Sequence, residues 1–425
     1  MTEIHRRSFL TTATAATIAL ASRRTSHAAA ASDSVVLAII GANNRGSQLA
    51  ASLAKLQGAE IAYVCDCDDR AIQKGIDASS PQGGRKPKGL KDFRRALEDP
   101  AVDAVVCAVP NHWHAAATIL ACAAGKHVYV EKPVSHTPDE GERMIAAARK
   151  AKRVVQAGLQ RRSGPLYRKV VDHVRNGSIG TVRFAKSWYF ADRPTISHGK
   201  ETAPPEWLDY NLWQGPAQEM PYRDNLVHYN WHFFWHWGNG ELGNNGVHTL
   251  DICRWALGVD FPTKVVASGA KLRFPDDDQE TPDTSTVTFD CDGRTIVWEG
   301  ISWSLPYSSS STVGMEFRGE NGTLYVDDGG YTIYDPKRKV VETQKLSRGD
   351  DEHLLNFLDA VRSNSSPNAD IDDGHKSTML CHLGNIAFRT GQPLQIDPSN
   401  GHILNNKAAE ALWSSEYRKG WIPDA

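Results

Sequence analysis

Val35 to Ile40 are six consecutive apolar residues, the pattern of a strand buried on both faces of a parallel sheet. The run stops at Gly41-Ala42-Asn43-Asn44-Arg45-Gly46, and helical spacing follows over residues 48–56. Further strands are predicted at residues 60–65, 102–109, 127–130 and 154–157. Between them lie helical patterns, one of them alanine-rich after His114 and another over residues 139–152. Strands that alternate with helices predict an α/β fold whose first domain, residues 33–158, is a doubly wound parallel sheet.

Beyond Gly158 the pattern changes. A helix over residues 165–175 leads into a strand over 182–190, and a long Pro- and Trp-rich excursion then runs to about Tyr229. After a helix predicted over 243–257, extended segments follow one another without helices: 263–272, 285–291, 294–302, 313–318, 322–326 and 331–334. That succession predicts a large, open, mainly antiparallel sheet with one covered face. Helices at 351–363, 375–390 and 406–415 complete a second, α+β domain over residues 159–425, expected to bind substrate and to carry oligomer contacts.

The amino terminus reads differently. Arg6-Arg7-Ser8-Phe9-Leu10, a mildly apolar run to Ala21 and small residues around Ala28 form the layout of a twin-arginine export signal over residues 1–30. The run is too short and too rich in Ala and Thr to span a bilayer, and no other stretch is apolar enough. The expectation is therefore a protein folded before export through the twin-arginine machinery to the periplasm, with no stable membrane span.

Formal net charge is −2, and loss of residues 1–30, with four arginines and one glutamate, takes it to −5. No long basic run lies outside the leader; Arg85, Lys86 and Lys88 make only a short loop cluster, so nothing favours nucleic acid. Seven cysteines without metal-type spacing do not make a disulfide framework, and Cys65 and Cys67 read as thiols.

Gly41 to Gly46 is a dinucleotide fingerprint with its middle glycine replaced by Asn43. Asn tolerates unusual backbone angles, and its amide can donate to a phosphate oxygen. Gly41, Asn43, Asn44, Arg45 and Gly46 are thus the candidate phosphate-side residues. Asp66 stands 20 residues after Gly46 at a strand end, where a carboxylate accepts ribose hydroxyls and repels a 2′-phosphate, favouring NAD over NADP. Arg70 could soften that preference.

Asn111-His112-Trp113-His114, Ala124-Gly125-Lys126-His127-Val128 and Glu131-Lys132-Pro133 together resemble the glucose–fructose oxidoreductase, inositol dehydrogenase and MocA family. The resemblance spans nearly all of the chain beyond the leader. It implies a Rossmann domain, a sheet domain that often mediates dimers, and hydride transfer between tightly held NAD (NADP being possible) and a ring hydroxyl of a sugar or cyclitol. It places Asn111, His114, Glu131, Lys132 and Gln160 about the cofactor. Independently, a lysine at the carboxyl end of a parallel strand faces the crevice where open sheets bind ligands, and can stabilise alkoxide character there.

In the second domain the family pattern puts Asp at the position of Asn244 and His at His248, four apart on one helix face. His248 matches; Asn244 can orient a hydroxyl but cannot accept a proton, so proton transfer falls to His248 or Lys132. Asn245, Arg161, Trp231, His232 and Trp235 are candidate substrate contacts, Arg161 or Arg162 for an acidic sugar. If residues 228–237 were helical, His228, His232 and His236 would share a face, but no carboxylate or cysteine at ligand spacing supports a metal, and none is expected. His353, Asn356, His382 and Asn385 have no role assignable from sequence. The alternatives are a redox-neutral NAD-dependent glycosidase or epimerase working through a transient keto-sugar, and a non-catalytic sugar-binding protein.

Overall fold

The computed structural model describes residues 34–80, 86–306 and 311–421; the expected export signal lies outside these residues. The first sheet contains β1 (Val35–Ile40), β2 (Ala59–Cys65), β3 (Lys88–Leu90), β4 (Ala104–Cys107), β5 (His127–Val130) and β6 (Val155–Ala157). All six are parallel, in the order β3-β2-β1-β4-β5-β6. Strands β4 and β5 are buried at every residue, as continuous apolar runs require. Strand β3, only Lys-Gly-Leu at the sheet edge, has no periodicity to read and escapes sequence analysis.

Helices α1 (Arg45–Leu53), α2 (Asp69–Ser79), α3 (Asn111–Ala123) and α4 (Pro138–Ala151) connect these strands. Helix α4 starts where a capping box should: Pro138 occupies its first turn, and the Glu140 carboxylate accepts from the His136 and Thr137 amides. Because strand order reverses between β1 and its neighbour β4, the loops leaving these two strands diverge and open a crevice at their carboxyl ends.

The second sheet has ten strands: β7 (Val182–Phe190), β8 (Lys264–Ala270), β9 (Thr284–Asp290), β10 (Thr295–Ile301), β11 (Val313–Gly319), β12 (Gly322–Asp327), β13 (Gly330–Tyr334), β14 (Val340–Gln344), β15 (Leu394–Ile396) and β16 (Ile403–Leu404). Their order is β14-β13-β12-β11-β7-β10-β9-β8-β15-β16. Neighbours are antiparallel except β7 and β10, which run parallel, so the sheet is mixed at its centre. The alternating burial of β10 and β12 shows the single covered face. Helices α5 (Pro165–Arg175), α6 (Val247–Leu257) and α8 (Ile371–Thr390) lie on the second domain's core, with α7 (Asp350–Ser363) packed against the first.

Two local differences from the sequence reading matter for the site. The helix expected from residue 243 begins instead with a π-helical turn, Leu242–Gly246, before α6. Residues 228–237 are not helical beyond one 3₁₀ turn at Asn230–Phe233. The excursion after β7 packs into its own aromatic cluster around Tyr210, Trp213, Phe233 and Trp237. It bridges to the first domain through Asp68 and Leu208 and through the His112–Trp213 contact, and so walls the crevice. Among the described residues no helix is long and apolar enough to cross a membrane.

Candidate active site

The crevice holds a cavity of about 550 Å³ lined by both the β1–α1 turn and the π-helical turn. Gly41 has φ +80°, and a Cβ there would stand 2.6 Å from the Ala108 carbonyl oxygen, so the turn demands glycine. Gly46 is needed for packing: its Cβ would meet the Gly41 carbonyl at 1.7 Å. It does not line the cavity, whereas Asn43, Asn44 and Arg45 do. A turn held this tightly at the start of a helix leaves backbone N–H groups open to an anion, which fits the pyrophosphate of a dinucleotide.

Asp66 also lines the cavity, with its carboxylate oriented by the amides of Ala42 (2.7 Å) and Asp68 (3.0 Å). Burial pushes its pKa up, against those two amides. Arg70 turns away from it, pairing with Asp68 at 2.9 Å and lying 3.4 Å over the Trp207 ring. The guanidinium is thus engaged by Asp68 and Trp207 rather than by Asp66.

Glu131 and Lys132 follow β5. Glu131, buried, accepts from Arg45 Nε at 2.9 Å and from Gln160 Nε2 at 3.1 Å. Burial opposes its negative charge, yet Arg45 and Lys132 outweigh burial and hold the carboxyl below its usual value. Arg45 and Gln160 thus reach the cavity already engaged with Glu131. Lys132 Nζ donates to the Asn244 backbone carbonyl (2.7 Å) and side-chain oxygen (3.0 Å), and burial lowers its pKa despite Glu131.

His248 belongs to the same cavity. Burial first, then the cations of Lys132, Arg161, Arg45 and Arg348, push its pKa well below the usual value, so the imidazole is neutral. The imidazole lines the cavity, while its Nδ1 is buried in the wall with no hydrogen-bond partner among the described residues. The π-helical turn thus leaves Asn244 and His248 lining one cavity. Asn245, also lining it, donates to the buried Glu241 at 2.5 Å.

Several candidates occupy other roles. The ring nitrogens of His114 lie 2.6 and 2.9 Å from the Pro133 and Val109 carbonyls, tying the loops after β5 and β4 together. Asn111 lines the cavity while donating to Asn239 at 2.8 Å. Trp231 and His232 line the cavity, but Trp235 does not; it lines a separate cavity of about 420 Å³, with Arg389 5.1 Å over its ring. Without a helix there, the turn after Phe233 sends Trp235 the other way. His228, His232 and His236 likewise diverge, to Asp68, Glu241 and the Gln218 carbonyl. Among the described residues no three His, Cys, Asp or Glu are grouped to hold a metal.

Arg161 and Arg162 also separate. Arg162 is buried between Asp251 and Asp373, both at 2.8 Å, whereas Arg161 lines the cavity. His353 ties α7 to the first domain, with Nδ1 2.7 Å from Ser163 Oγ and Nε2 2.9 Å from the Ala157 carbonyl. His382 meets Ser135 Oγ at 3.0 Å, and Asn385 donates to the Asn239 carbonyl. These tail residues are struts behind the cavity. Sequence reasoning missed Asp328 and Arg348, on loops, and Asp350, at the start of α7, which line the cavity from far along the chain and carry no local motif.

Comparison with known proteins agrees with this architecture. The model of an oxidoreductase family's NAD-binding Rossmann fold matches residues 35–159, and that of its C-terminal alpha/beta domain matches residues 147–423. An uncharacterized oxidoreductase of Bacillus subtilis, YrbE, is 23% identical over 85% of this chain and 97% of its own length. Inositol 2-dehydrogenase of Salmonella typhimurium is 25% identical over 62% of this chain and 63% of its own. The aldose-aldose oxidoreductase of Caulobacter crescentus shares the fold, with a TM-score of 0.66 at 20% identity over 85% of this chain and all of that one.

Proposed function

The chain belongs to the glucose–fructose oxidoreductase, inositol dehydrogenase and MocA oxidoreductase family, and from that premise we propose that it oxidises or reduces a ring carbon of a sugar, sugar derivative or cyclitol with tightly held NAD. The observation that carries this reading is that Lys132, Asn244 and His248 line the same cavity as the Gly41 turn and Asp66. Asn43, Asn44, Arg45 and Asp66 would hold the dinucleotide, which supplies the hydride acceptor or donor when bound.

The chain's own residues then divide the work. Asn244 orients the reacting hydroxyl. Lys132 Nζ donates to its oxygen and stabilises the charge that develops as hydride leaves. The His248 imidazole, neutral and lining the cavity, takes the proton. The wall built from Trp213, Trp231 and His232 limits water at the site.

Arg6-Arg7 adds export, with NAD loaded before the folded protein crosses the membrane. Tight retention follows as a requirement, because a released cofactor would not be replaced outside the cytoplasm. A second substrate then restores the cofactor in place. Dimers or tetramers would form through the second domain's open sheet.

The decisive experiment denatures the natively folded protein, identifies the released nucleotide, and offers sugars and aryl glycosides without added NAD. Bound NADH after sugar addition supports the proposal. Glycoside turnover without net reduction replaces it with the redox-neutral reaction, and a protein that neither contains nor binds nucleotide overturns both.

A further inference from the structure

Charge at the reacting end of the cavity is not balanced. Arg45 and Glu131 neutralise each other at 2.9 Å. Beyond them, Arg161 and Arg348 share a single carboxylate, Asp328, at 3.7 and 3.0 Å. Lys132 adds a third cation, and among the described residues the hydrogen-bond partners of its Nζ are both atoms of the neutral Asn244. Asp350 contributes the second carboxylate lining this end. Three cations thus face two carboxylates, an excess of one positive charge around a neutral histidine.

Exposure sharpens the imbalance. The Arg348 side chain is half exposed and largely screened by water, but the Arg161 side chain is only 13% exposed. Among the described residues, this nearly buried guanidinium has one acidic neighbour within 4 Å, which stands at 3.7 Å and is held closer by another arginine, so it lacks a close-fitting partner. Its carbon lies 5.0 Å over the Tyr167 ring, which steadies the guanidinium without discharging it. Burial is the main cause of the lowered pKa of His248, and the cations Lys132, Arg161, Arg45 and Arg348 push it further the same way. An oxidised nicotinamide, itself cationic, would not cancel the excess.

We propose that the substrate is a sugar or cyclitol acid whose carboxylate is held by Arg161, next to the hydroxyl bound by Lys132, Asn244 and His248. One negative charge matches the excess, and a planar carboxylate suits the guanidinium fork. Asn244 belongs to the same design. A carboxylate at that position would pair with Lys132 and repel an acidic substrate, whereas the amide orients the hydroxyl and leaves the positive field intact. The inference rests on the proposed oxidoreductase reading and names its substrate class.

The test uses the NAD-loaded protein and calorimetric titration with D-glucuronate, D-galacturonate and D-gluconate, each beside its neutral amide. At least one acid is expected to bind about tenfold or more tightly than its amide, with the preference shrinking as salt rises from about 0.02 to about 0.3 M. Arg161→Gln should bring acid and amide to near parity while nucleotide content and melting temperature stay unchanged. Amides that bind as well as acids, acids that all fail to bind NAD-loaded protein, or a preference that survives Arg161→Gln each overturn the inference. Reduction of the bound NAD by neutral sugars would overturn it while leaving the oxidoreductase reading intact; a protein without NAD fails at that earlier reading.

Discussion

Lys132 Nζ and Asn244 meet across 112 positions of sequence, at 2.7 Å to the backbone carbonyl and 3.0 Å to the side-chain oxygen. This contact joins the end of β5 in the first domain to the π-helical turn of the second. The lysine is aimed by the second domain, and this pairing exists only when both domains are in place.

Lys132→Ala removes the ammonium from that contact. Turnover should fall by about 10²- to 10⁴-fold, the usual range for a lost proton-transfer or hydrogen-bonding group. Nucleotide released on denaturation should stay stoichiometric, since the Gly41 turn and Asp66 are untouched. Steady-state kcat together with nucleotide analysis checks both halves; retained turnover removes Lys132 from the mechanism.

Asn244→Asp places a carboxylate where an amide oxygen lies 3.0 Å from the ammonium. Burial lowers the Lys132 pKa, and a negative partner acts in the opposite sense by favouring the charged form. A limb of the kcat/KM pH profile that reports Lys132 deprotonation should therefore move upward by about one pH unit or more. A profile that does not move would show that Lys132 does not titrate in the observed range.

Asp251→Ala should destabilise the protein by about 3–5 kcal/mol, because it takes from Arg162, whose side chain is 4% exposed, its fully buried partner and leaves it the partly exposed Asp373. Asp251 also accepts from Ser377 Oγ at 2.6 Å, so the loss reaches α8. Urea unfolding measures it; a change under about 1 kcal/mol would mean that the pair is not load-sharing as the buried geometry requires.

Acid should weaken the fold through its buried histidines, which together outweigh the opposing effect of Glu140, whose carboxyl burial pushes up to about 7. Burial lowers the pKa of His112 to about 3 and of His353 and His375 to about 4. Below pH 6.5 or so the unfolded chain protonates these residues while the folded one does not, so stability present above that pH is lost as it falls. Each histidine contributes a slope of about 1.4 kcal/mol per pH unit in this window. The urea midpoint should be clearly lower at about pH 5.5 than at about pH 7.5; equal midpoints would contradict burial of these imidazoles in neutral form.

The elements most legible in sequence are those whose signal is local. Strands β1, β5 and β7 and helix α5 fall at the residues that hydrophobic period and flanking Gly or Pro indicate. Asp66 follows the fingerprint at a readable distance, and Lys132 sits in a readable motif. Edge strands β14 and β16 were not legible, since β14 is largely exposed and β16 is two residues long.

What the sequence by itself determined was which chemistry-bearing residues exist and that two of its stretches form a crevice over a parallel sheet. The tertiary structure alone decided their company. Adjacent Arg161 and Arg162 go to the cavity and to a buried ion pair, and Trp231 and Trp235, four apart, enter different cavities. Asp328 and Arg348 join Arg161 from 167 and 187 positions further along the chain. Side-chain direction in turns depends on backbone angles that no period records, and a long-range partner leaves no mark near the residue it meets.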